Sequence, residues 1–153
     1  MKKIASFSVN HDKLKKGMYD FPHRRRCCNL RPAHESAERR RLPLKRRAPH
    51  VRASFATYAR NSALSDSVIY VGPMGCRTGF YFLLRDNVSR LDALHLVQES
   101  FAFIRDFEGE IPGSRREECG NYKEHDLKGA KETAVDMLEV LKDWTPEKME
   151  YEV

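Results

Sequence analysis

At 153 residues the chain suits one domain around a single core, with no trace of a second. No run of about 18 apolar residues occurs, which excludes a transmembrane helix, and Asn10, His11, Asp12 and Lys13 break up any signal-peptide core after the opening Met1-Lys2-Lys3, so a cytoplasmic protein is expected. The net charge of +6 resides in one segment: residues 20–53 hold eleven Lys and Arg, ten of them Arg, against Asp20, Glu35 and Glu38, while the remainder is slightly acidic at −2.

Residues 4–9 alternate polar and apolar, which predicts a short strand with Phe7 and Val9 facing a core. Asn10-His11-Asp12 then turns the chain, leaving His11 as either a solvated loop histidine or a group that handles protons near neutral pH. From Phe21 to Ala53 apolar residues are too few and too unperiodic to bury a face, a composition that predicts disorder. Its arginine clusters would suit phosphates, which makes a small basic nucleic-acid or anion-binding protein the rival reading. With only Phe21 to stack on bases and no recognisable module, no nucleic-acid partner is expected.

Order returns at Ser54. Phe55, Ala59 and Ser62 share one face of a helix expected over 54–62, and Ser65-Asp66-Ser67 turns into Val68-Ile69-Tyr70-Val71, which reads as a buried strand. A glycine-studded turn from Gly72 to Gly79 carries Cys76 and leads into a second strand, Phe80-Tyr81-Phe82-Leu83-Leu84. Cys76 is either a small hydrophobe at a strand junction or a reactive thiol; the adjacent Arg77 favours its thiolate. Ser89 and Asp92 form a capping box that opens a helix with Leu91, Leu94, His95, Val97, Phe101, Ile104 and Phe107 on its core stripe, His95 as a packed core-edge residue. Glu108–Ser114 connects to a second isolated cysteine, Cys119, and Asp126 caps a last helix carrying Leu127, Ala130, Ala134, Leu138 and Leu141 on one side. Four cysteines at irregular spacing, Cys27, Cys28, Cys76 and Cys119, match neither a disulfide framework nor a paired zinc motif. The fold class is α+β: a largely antiparallel sheet with strands near 4–9, 67–72 and 79–85, covered on one face by helices near 54–62, 90–107 and 126–142.

Ser6-Phe7 with Asn10-His11, Phe55-Ala56-Thr57-Tyr58-Ala59-Arg60-Asn61, Gly72-Pro73-Met74-Gly75-Cys76-Arg77-Thr78-Gly79-Phe80-Tyr81 and Glu118-Cys119-Gly120-Asn121 together resemble the S-ribosylhomocysteine lyase family, LuxS. The resemblance covers residues 1 to about 19 and 54 to about 145 in order, and its Pro-Met-Gly-Cys-x-Thr-Gly stretch is highly specific. It implies a cytoplasmic bacterial homodimer with sites at the subunit interface and one divalent metal per subunit, iron(II) or zinc(II), held by two histidines and a cysteine. The implied reaction cleaves S-ribosylhomocysteine to homocysteine and 4,5-dihydroxy-2,3-pentanedione, the autoinducer-2 precursor of quorum sensing, by metal-assisted carbonyl migration and β-elimination. Cys76 matches the catalytic cysteine and Cys119 the metal-binding cysteine. Ser6, His11 and Arg60 match positions beside the substrate. An aspartate familiar six residues before the catalytic cysteine is here Tyr70.

The departure that matters most lies just before Ser54, where the family carries His-x-x-Glu-His: two metal ligands one helical turn apart with the catalytic glutamate between them. This chain reads Pro49-His50-Val51-Arg52-Ala53, with His50 one place out of register and neither the second histidine nor the glutamate. Reading each codon of residues 21–53 one base later permits His-Thr-Cys-Glu-His at those positions and strings resembling the family's missing strand and loop upstream. A compensating pair of frameshifts accounts for the arginine-rich segment on this reading, and the further alternative is a non-catalytic relative that still dimerises. Resequencing the gene is expected to reveal the two single-base changes flanking codons 21–53; an uninterrupted frame encoding the segment as given overturns it.

Overall fold

Alternating side chains make Phe80–Leu84 a strand whose Phe80, Phe82 and Leu84 are buried while Tyr81 and Leu83 are half-covered. This strand is β4 of a four-stranded antiparallel sheet ordered β1-β2-β4-β3, with β1 at Gly17–Asp20, β2 at Cys27–Arg31 and β3 at Val68–Pro73. Three helices complete the α+β fold: α1, Pro43–Arg60; α2, Arg90–Asp106; and α3, Leu127–Leu141. The computed structural model describes residues 15–20, 27–31, 43–74, 79–110, 113–120 and 125–150; the strand expected over 4–9 lies outside them. Among the described residues no helix is long and apolar enough to cross a membrane.

One strand and the first part of a helix fall inside the segment whose composition predicts disorder. The main chain of β2 pairs with β1 on one side and with β4 on the other, Cys28 opposite Asp20 and Phe82. Helix α1 begins at Pro43, eleven residues before the start expected at Ser54. Proline suits that first position, where its missing N–H has no intrahelical partner to lose.

Strand β3 differs from its sequence reading in a way the sheet explains. Val68 stands opposite Leu84 and Tyr70 opposite Leu83, so Ile69 is an extra residue, a bulge. Ile69 and Tyr70 therefore both face outward, 56% and 47% exposed, on an edge strand expected to be buried. Beyond the bulge the alternation resumes: Val71 is buried opposite Phe82, and Met74 N–H donates to Gly79 O at 2.9 Å to extend the hairpin.

Phe55 on α1 is fully buried and meets Phe80, Phe82 and Phe101 edge-on, at centroid separations of 4.9, 5.2 and 5.7 Å. Each such pair adds about 0.5–1.5 kcal/mol beyond area burial. Ala59, Val71, Leu94, Val97, Ile104, Ala130, Ala134 and Met137 close the core around them. The caps are as expected. Ser89 Oγ accepts from Asp92 N–H at 3.1 Å and donates to Asp92 Oδ2 at 2.6 Å, and Asp126 Oδ1 accepts from Gly129 N–H at 2.9 Å. On α2, however, the buried stripe is Ala93, Leu94, Leu96, Val97, Ser100, Phe101 and Ile104. Leu91 and His95 sit on its exposed side, so His95 is a surface residue rather than a core-edge one.

The chain end secures β1. Trp144 Nε1–H donates to Met18 O at 2.9 Å, its ring stands edge-on to Tyr19 at 5.5 Å, and its six-membered ring occupies the space a Cβ on Gly17 would need. Gly17→Ala is expected to cost about 1–3 kcal/mol, because a rigid indole anchored by its own hydrogen bond cannot yield to the methyl. Urea denaturation checks this; an unchanged midpoint overturns the packing argument.

Candidate functional site

Of the five residues singled out from sequence, Ser6, His11 and Cys76 lie outside the described residues, as does Arg77. Strands β3 and β4 bracket the Cys76 turn as the flanking apolar runs predict. Arg60 ends α1 with its side chain exposed. Cys119 is half-buried in the turn after α2, where its N–H donates to Arg115 O at 3.0 Å. The same turn is braced by Gly113 N–H donating to a Glu118 carboxylate oxygen at 3.0 Å and by the Arg115–Glu110 ion pair. Arg60 and Cys119 thus sit on separate elements, and among the described residues no three His, Cys, Asp or Glu side chains gather to hold a metal ion. The three-ligand centre implied by the resemblance is not assembled from them.

The polar residues that the fold does bury lie elsewhere on α1. His50 is fully buried and Ser54, one turn on, is 1% exposed; neither imidazole nitrogen of His50 nor the Ser54 hydroxyl has a hydrogen-bond partner among the described residues. The same holds for both ring nitrogens of His125, the residue before the Asp126 cap of α3. The two imidazoles meet at a centroid separation of 5.7 Å, inclined by 64°. Orphaned buried polar groups cost about 1–3 kcal/mol each, and the five such side-chain atoms among the described residues all belong to His50, Ser54 and His125. From sequence His50 reads only as a displaced ligand, and His125 stands in no motif that marks it. The signal available in the sequence is the position of His125 beside the Asp126 N-cap, which fixes where its ring meets α1.

Burial pushes the His50 imidazole down from its ordinary value to about 4, and neighbouring His125 adds to the shift. The Asp126 carboxylate and main chain pull weakly the other way. Arg90 pairs with Asp20 and Glu150 at the other end of the fold, where burial outweighs the ion pair and holds the Asp20 carboxyl above its usual range.

In metal-free protein the unfolded chain takes up a proton at His50 near the ordinary histidine value, while the folded chain resists until about pH 4. Stability is therefore full above about pH 6.5 and is lost as pH falls toward 4, by about 2 kcal/mol between pH 7 and 5. Asp20, raised in the fold, contributes with the opposite sign. Urea unfolding at the two pH values, with chelator present, is expected to show this loss in the wild type and a smaller one in His50→Leu. Equal losses overturn the assignment.

Comparison with known proteins bears on what such a chain does. Residues 44–148 match the family model described as S-Ribosylhomocysteinase (LuxS). The chain is 40% identical to an S-ribosylhomocysteine lyase of Porphyromonas gingivalis over 99% of both chains. It is 38% identical to that of Phocaeicola vulgatus, covering 99% of this chain and 98% of the relative. The lyase of Desulfotalea psychrophila is 37% identical over 88% of this chain and 87% of its own.

Proposed function

Because the chain belongs to the S-ribosylhomocysteine lyase (LuxS) family, carbon–sulfur lyases, we propose that its substrate is S-ribosylhomocysteine and that it turns this substrate over poorly. The observation that carries the reading is the near-complete coverage by lyase relatives together with the Gly72–Tyr81 turn that holds Cys76. Substrate recognition falls to Ser6, His11 and Arg60, whose hydroxyl, imidazole and guanidinium suit a polar, charged ribosyl thioether. A homodimer in the cytoplasm completes the proposal, with exposed Ile69 and Tyr70 on the edge strand as apolar surface available to a second copy.

The chemistry left to this chain's own residues is proton transfer. Cys76, its thiolate favoured by Arg77, takes a proton from the sugar carbon beside the carbonyl and returns it one carbon along. When the carbonyl has migrated far enough, loss of a proton from the carbon next to the C–S bond expels homocysteine as its thiolate. Two groups on opposite sides of the reacting carbons are needed to move these protons, and the glutamate that would be the second is replaced within Val51-Arg52-Ala53. The family's iron(II) or zinc(II) centre is likewise short of ligands: Cys119 remains, and the histidines of His-x-x-Glu-His do not.

Loss of a general base alone removes about 10²–10⁴ in rate. Thiol release from S-ribosylhomocysteine is therefore expected to run at least about 10²-fold below that of the Porphyromonas gingivalis relative. Replacing residues 21–53 by the relative's corresponding segment is expected to recover most of the difference. Turnover within tenfold of the relative by the unmodified chain overturns the proposal.

A further inference from the structure

His50 and His125 are contributed by elements far apart in sequence, the middle of α1 and the approach to α3, and the fold brings their rings together where none of their four nitrogens makes a well-formed hydrogen bond among the described residues, the Asp126 main chain alone acting on His50. From this geometry we propose that His50 and His125 form a two-imidazole site for a borderline divalent transition-metal ion such as zinc(II) or cobalt(II). The site is distinct in its ligands from the histidine–histidine–cysteine set implied by the family, and it stands whether or not the chain is a lyase.

The ring spacing fits. Imidazole nitrogens bind zinc at about 2.0–2.1 Å, which puts each ring centroid about 3.2 Å from the ion and two rings at a tetrahedral angle about 5.2 Å apart. The observed 5.7 Å corresponds to opening that angle by about 15–20°. Imidazole suits zinc, cobalt, nickel and copper better than calcium or magnesium, which prefer oxygen. Burial keeps His50 neutral at physiological pH, the protonation state a metal requires. The N-terminus of α3 disfavours a cation, and the Asp126 carboxylate, close enough to act on His50, offsets it. Remaining coordination positions belong to water, and the buried Ser54 hydroxyl, on the same helix face one turn from His50, is placed to bond such a water. An ion here would satisfy polar atoms that otherwise stand as a cost to the fold.

Chelator-treated full-length protein titrated calorimetrically with zinc(II) is expected to bind one ion per chain. His50→Gln or His125→Gln should weaken binding at least about tenfold, since losing a ligand costs no less than losing an outer-shell partner, while Cys119→Ser should change it less than about twofold. Two measurements on the unsubstituted chain stand independent of the variants' folding. Cobalt(II) should give tetrahedral visible bands without a thiolate-to-cobalt charge-transfer band. Zinc(II) should shift the ring signals of two of the six histidines in protein labelled at histidine nitrogen. Absence of binding, a thiolate band, a different number of shifted histidines, or affinity lost with Cys119 and kept without His50 and His125, each overturns the site.

Discussion

The fold depends on one aromatic contact above the others. Phe55 is the point at which α1, β4 and α2 meet, its ring edge-on to Phe80, Phe82 and Phe101. Because Phe80 and Phe82 lie two residues apart on one face of β4, the sheet face is fixed by the same ring that fixes the helix. Truncating such a ring removes about 3–5 kcal/mol, a large part of a small domain's net stability. Everything else in the core, from Val71 on β3 to Ala130 and Ala134 on α3, fills space around that junction.

Fixing Phe55 also fixes the register of α1, and with it the polar residues one turn earlier. Val51, Ser54, Phe55 and Ala59 share the buried face, so His50, one turn before Ser54, is carried inward with them. On that face the helix carries one histidine and, a turn on, one serine. Burial of His50 is thus a consequence of packing at Phe55, and His125 meets it because Asp126 caps α3 at that place.

Much of this was legible in the sequence, and the reasons are local. Strands β3 and β4, helices α2 and α3, and both caps follow from period, β-branched and aromatic runs, and Ser89 and Asp126 at the boundaries. What was hidden depends on long-range pairing. Strand β1 carries Gly-Met-Tyr-Asp, too short and mixed to signal itself, and is held by Trp144 from the other end of the chain. The bulge at Ile69 turns an apolar residue outward, which no periodicity announces. Leu91 and His95 fit a helical stripe about as well as the residues that are buried, and only the packing direction of α2 separates them. The Cys76 turn and the residues before Lys15 lie outside the described structure, so the substrate side of the site rests on sequence alone.

The packing of α1 and the position of the family motif meet on one helix. Among the residues whose side chains are described, the core members are Met18, Val51 and residues from Phe55 onward, so Val51 is the described core residue within the segment 21–53. The ligands and the glutamate of the family motif would fall within it, at positions now occupied by Pro49, Arg52 and Ala53. Helix α1 is held by the packing of Phe55 and Ala59, and Ala53 and the first-position Pro43 suit a helix, whereas Pro49 in its interior lacks a main-chain donor and costs the helix about 3 kcal/mol. A chain can keep a family's scaffold with different residues at the family's motif positions, and family membership therefore reports on the scaffold more securely than on turnover.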